Sequence, residues 1–158
     1  MPDERHFLLQ RVQPAMVGLI DGSLSTLAPI FGIVFYTHHP HTAFIAGLST
    51  SIGAAISMAF SEALSDTGTI TGRGSPLARG LITGAATFVG GILHTLPFLI
   101  PEYHAAVFAA AVVVAFELVM LAVIRWRFFE TSFVRSLLAV SIGGAVIAVV
   151  GALIGSLG

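Results

Sequence analysis

The sequence predicts an all-α integral membrane protein, a single domain over residues 1–158 folded as a bundle of five transmembrane helices. Three observations carry this prediction. The chain is 56% hydrophobic and only 9% charged, with a mean hydropathy of +0.95, whereas soluble domains carry about 25% charged residues. Its apolar residues fall into five runs, each close to the roughly 20 residues a helix needs to cross the hydrocarbon core. Every one of its seven basic residues, all arginines, falls on the same side of a five-span chain.

The spans are read as 12–36, 42–64, 78–100, 105–124 and 134–157. The first follows the polar MPDERHFLLQR and is too long for a signal-peptide core, so it is expected to be retained as a helix. Within it Gly18, Asp21, Gly22, Ser25, Pro29 and Gly32 recur at three- and four-residue steps, which places them on one small, polar helix face. That face can pack against neighbours or line a wet cavity. Pro29 lacks a backbone donor and is expected to kink the span, freeing a carbonyl.

The first break, YTHHPH, holds His38, His39 and His41 and reads as a polar turn in preference to a binding site. Span two aligns Thr50, Gly53, Ser57 and Ser61, with Met58 and Glu62 one turn apart beside them. After SDTGTITGRGSP, span three carries a stripe of Gly80, Gly84, Thr87, Gly91 and His94, with the histidine toward the outer end. Beyond PEYH, which contains His104, span four buries Glu117 within VVVAFELVML. Beyond RWRFFETSFVR, span five sets Gly144, Ala148, Gly151 and Gly155 in a row. Small residues at this spacing let helices approach closely, so packing explains most of these glycines.

Orientation follows from the arginines. Arg5 and Arg11 precede span one, Arg73 and Arg79 lie between spans two and three, and Arg125, Arg127 and Arg135 lie between four and five. The positive-inside rule makes that side cytoplasmic, with the N-terminus inside and the C-terminus outside. The absence of cysteine removes disulfides and thiolate metal sites. A net charge of -1, with no basic cluster, gives no sign of a nucleic-acid partner.

Four ionisable residues resist a pure packing account: Asp21, Glu62, His94 and Glu117. An acid at mid-membrane costs roughly 2.5–3.5 kcal/mol on insertion scales, and such residues usually serve a pathway or a partner. Glu117 must meet a group on another helix or stay protonated. Carboxylates, a thioether and imidazole are ligands for a divalent transition metal, and carboxylates can exchange a proton for the cation.

Three stretches resemble the vacuolar iron transporter family. GLIDGSLSTLAPIFGIVF is similar to its first helix, AAISMAFSEALS to its second, with Glu four positions after Met, and GAATFVGGILHTLPFLIP to its third. The resemblance implies a homodimer of five-helix protomers that moves Fe2+ or Mn2+ out of the cytosol in exchange for protons. It implies Asp21 and Met58 as ligands on a pathway between protomers, and Glu62 as a further acid of the second helix. The chain departs from the pattern at Thr50, where full transporters carry a glutamate, and it lacks their glutamate-rich cytoplasmic domain between spans two and three.

The resulting expectation is a membrane transporter and not an enzyme, in a prokaryotic inner membrane, with no permanently bound cofactor. Asp21, Met58, Glu62 and His94 are the expected metal residues, and Glu117 and Thr50 the expected pathway or proton-coupling positions. A transporter of another solute on the same fold, and a non-transporting membrane assembly protein, are the alternatives.

Overall fold

The computed structural model describes residues 2–129 and 131–157, and these are helical apart from short connections, with no strand among them. Glu130, in the fourth predicted break, lies outside the described residues. Five helical segments are long and apolar enough to cross a membrane.

The first span is longer than its apolar core and is interrupted. Helix α1 (Pro2–Phe7), a π-helical turn (Leu8–Val12), α2 (Gln13–Ser25) and α3 (Leu27–Thr37) follow one another. The break falls at Thr26, whose backbone (φ -87°, ψ -16°) turns its N–H to the Leu24 carbonyl. Pro29 is the cause expected from the sequence: it has no N–H for the Ser25 carbonyl, and its ring crowds that oxygen.

THHPH is a helix-to-helix turn. His38 closes α3 in the left-handed region (φ 54°), His39 is extended, and Pro40 begins α4 (Pro40–Ser65). The His38 ring packs on Tyr103, with centroids 4.9 Å apart. Helix α5 (Pro76–Leu93) starts at a Ser75 cap and ends well short of residue 100. Pro97 restricts the residue before it, and Leu96–Leu99 form a 3-10 turn instead. Helix α6 (Tyr103–Phe128) is capped by Glu102, and α7 (Phe133–Ser156) by Ser132.

Helix α5 packs extensively on α2 and α4, α3 packs on α7, and α7 also packs on α6. Small residues set these contacts. A Cβ on Gly22 would stand 2.0 Å from the Thr87 carbonyl oxygen, and one on Gly155 would stand 2.3 Å from that of Gly32. The apolar core gathers Leu27, Ile30, Phe31 and Val34 of α3 against Phe98, Ala106 and Ala110. Large apolar side chains such as Phe60, Phe108, Phe116, Ile142 and Leu153 point outward, as a lipid-facing surface requires.

The segments that carry the arginines meet at one end of the bundle. Gln10 Nε2 donates to the Gly72 carbonyl at 3.2 Å, and Arg5 shares a groove with Phe128 and Phe129.

Candidate functional site

At the break in the first span three polar side chains from three spans form a row. Thr26 Oγ1 is 2.7 Å from His94 Nε2, and His94 Nδ1 is 2.8 Å from Glu117 Oε2. Their exposures are 0%, 1% and 1%. Local structure puts each in place. Thr26 sits where the helix is interrupted, so its side chain projects beside α5. His94 caps the C-terminus of α5. Glu117 lies near the midpoint of the 26-residue α6, so the row sits deep in the bundle and His94 is deeper than its place near the end of span three suggested.

The hydrogen positions follow from the network. The Thr26 hydroxyl donates to the Gly22 carbonyl at 2.9 Å. A hydroxyl has one hydrogen, so His94 Nε2–H donates to Thr26 Oγ1. The short Nδ1–Oε2 contact then needs a proton of its own, held by one atom or the other. The second carboxyl oxygen, Glu117 Oε1, is buried and has no hydrogen-bond partner among the described residues. With the proton on Oε2 the unpartnered Oε1 is a neutral carbonyl; with it on Nδ1 that oxygen shares a charge, which costs more in an apolar site.

Neighbouring hydroxyls serve their own helices. Ser51, Thr87 and Thr95 each donate to a carbonyl four residues back. Gly91 gives Thr26 and Ser51 their room: a Cβ there would stand 2.5 Å from Ser51 Oγ and 3.0 Å from Thr26 Cγ2.

The other expected site residues have different surroundings. His94 has both ring nitrogens engaged, so it offers no lone pair to a cation and leaves the set of metal ligands. Glu62 is an anchor: its Oε1 accepts from Arg73 Nη2 and from Arg79 Nε, both at 2.8 Å. Arg79, fully buried, also donates to the carbonyls of Arg73, Gly74 and Asp66. That one oxygen is thus shared by two guanidinium groups. Thr50 donates to the Ala46 carbonyl of its own helix at 2.8 Å and pairs with none of the acids.

Asp21 is half-buried near the middle of the first span, and among the described residues it has no hydrogen-bond or ion-pair partner. The face it was expected to share is divided. Gly18 and Gly22 turn inward against α5, while Ser25 and Pro29 are exposed on the outward side. Met58 is half-buried on α4, where Ser49, Gly53, Ser57 and Ser61 form an exposed line at four-residue spacing. Nothing lies within 4 Å of a Cβ built on Gly53. Among the described residues, no three acids or histidines come together as a metal-holding group.

Two residues escaped the sequence reading. Thr26 was hidden among many small hydroxyl residues, although it lies in the turn that Pro29 disrupts. Arg79 was counted only as a loop charge, although it falls inside the predicted third span. In comparisons with known proteins the chain matches no family model, no curated sequence and no solved structure.

Proposed function

We propose that this membrane protein carries a divalent transition-metal ion, Fe2+ or Mn2+, out of the cytosol in exchange for protons, and that it works as a homodimer. The arginine-rich end is the cytoplasmic one, by the positive-inside rule. The observation that carries the reading is Asp21: an intramembrane carboxylate, half-buried, with no polar partner in its own protomer. Such a group holds its proton, or takes a partner from outside the protomer or a passing cation.

Two further features support the same reading. Met58 supplies a thioether, a ligand for borderline ions, on a helix whose outward line of Ser49, Gly53, Ser57 and Ser61 suits close approach by a second protomer. The likeness of the first three spans to the vacuolar iron transporter family points to the same two residues. A two-fold mate would bring a second Asp21 and Met58, so that four ligands arise from two per protomer.

Anaerobic Fe2+ and Mn2+ flux into proteoliposomes under a proton gradient tests this reading. Flux by the wild type that is abolished in Asp21→Ala supports it. Flux unchanged in Asp21→Ala removes its central element.

A further inference from the structure

We propose that His94 and Glu117, with Thr26, form a proton-binding site inside each protomer, and that the proton they hold controls the break in the first span. The proposal deepens the transport reading, and it rests on that reading only for what the proton is exchanged against.

In the resting network Glu117 Oε2–H donates to Nδ1, Nε2–H donates to Thr26 Oγ1, and the Thr26 hydroxyl donates to the Gly22 carbonyl. The row is neutral, and every hydrogen is used. Loss of one proton to water changes its charge from 0 to -1. Glu117 becomes a carboxylate, and the one ring hydrogen of His94 is best placed on Nδ1, donating to Oε2. Nε2 is then a bare lone pair, and the donor beside it at 2.7 Å is the Thr26 hydroxyl. Thr26 must swing its O–H from the Gly22 carbonyl to Nε2. The carbonyl it leaves is the one the break relies on, because the Thr26 backbone N–H is turned to Leu24. Deprotonation therefore unpins α2 from α3, and protonation restores the pin.

Glu117 Oε1, which has no hydrogen-bond partner among the described residues, fits such a site. In a permanently ionised site that oxygen would be an unpaired charge. In a site that gains and loses a proton it is a neutral carbonyl at rest and becomes charged only while the site is empty. Among the described residues no other charged side chain bonds to the row. Asp21 on α2, Glu62 on α4, Arg79 on α5, Arg125 and Arg127 on α6 and Arg135 on α7 make no bond to the row, and Glu62 and Arg79 bond each other. Helix α3 carries no acid or base apart from Tyr36. Two protomers would release two protons, which equals the charge of one divalent ion.

The test is infrared difference spectroscopy of the purified, metal-free protein in lipid nanodiscs, titrated from about pH 5 to about pH 9, a range that brackets ordinary histidine titration. The expected result is a protonated-carboxylic-acid C=O band that is lost in Glu117→Gln and disappears reversibly as the wild type is made alkaline. Thr26→Val removes two bonds of the protonated row, Nε2–H to Oγ1 and Oγ1–H to the Gly22 carbonyl, but only one of the deprotonated row, Oγ1–H to Nε2, so the protonated state loses more and the midpoint falls by about one pH unit. Thr26→Ser retains the wild-type midpoint. A Glu117 band that is absent throughout, or present but insensitive to pH, overturns the site. An unshifted midpoint in Thr26→Val overturns the link to the break. No metal enters the experiment, so its failure leaves the Asp21 pathway standing, and a lack of metal flux leaves this site standing.

Discussion

His94 Nδ1 and Glu117 Oε2 lie 2.8 Å apart, and neither side chain is more than 1% exposed. Removing one partner strands the other, at a cost of about 1–3 kcal/mol for an unsatisfied buried group, whereas removing both leaves little to satisfy. His94→Leu and Glu117→Leu should each lower thermal stability in detergent by that order. The double variant should lose less than the sum, and Glu117→Gln, which can still donate to Nδ1, should lose least. A double-mutant cycle on unfolding midpoints measures the difference.

Gly22 and Gly53 are both glycines of membrane-spanning helices with opposite surroundings. Gly22→Ala would put its methyl carbon into the Thr87 carbonyl and force α2 from α5, destabilising by about 1–3 kcal/mol as overpacking does. Gly53→Ala meets open space and should change monomer stability by less than about 0.5 kcal/mol. Thermal unfolding of the two variants in detergent compares them directly.

The same open face tests the homodimer. The chain has no cysteine, so a single introduced thiol reports only on itself. Gly53→Cys should cross-link to a dimer under mild oxidation in membranes, since a disulfide needs the two Cα atoms within about 7 Å. Val150→Cys, on an exposed face of α7, should not. Equal cross-linking at both positions, or at neither, would contradict a mate seated on α4.

The loop after α4 should respond to acid. Asp66 accepts from the Thr71 hydroxyl and the Gly68 N–H, with Arg79 and Arg73 nearby, and these hold its carboxyl below the ordinary value of 3.8. A depressed folded-state value stabilises above the unfolded value and is lost as pH falls through the folded one. The Asp66–Ser75 loop should therefore keep its protection from proteolysis at neutral pH and lose it only below about pH 4. Asp66→Asn should make cleavage there independent of pH in that window.

The five spans and the one-ended arginines were legible because hydropathy and charge are read along the chain, residue by residue. Pro29 also announced the break, since a missing N–H acts locally. The row Thr26–His94–Glu117 was not legible, because it joins residues 68 and 23 positions apart and depends on where α5 stops. The sequence marked His94 and Glu117 as costly singly, without any sign that each answers the other. The pairing of Glu62 was hidden for the complementary reason: its partners Arg73 and Arg79 stand 11 and 17 residues away, and they had been read as topology signals alone. Asp21 is half-buried near the middle of the first span, with no bonding partner among the described residues.

The most direct measurement is simultaneous Mn2+ uptake and internal pH change in proteoliposomes holding wild type, Asp21→Asn or Glu117→Gln. The account predicts Mn2+ movement with opposing proton movement in the wild type. Both should be lost in Asp21→Asn, and the proton movement should be lost in Glu117→Gln. Mn2+ uptake in Asp21→Asn equal to that of the wild type would contradict it.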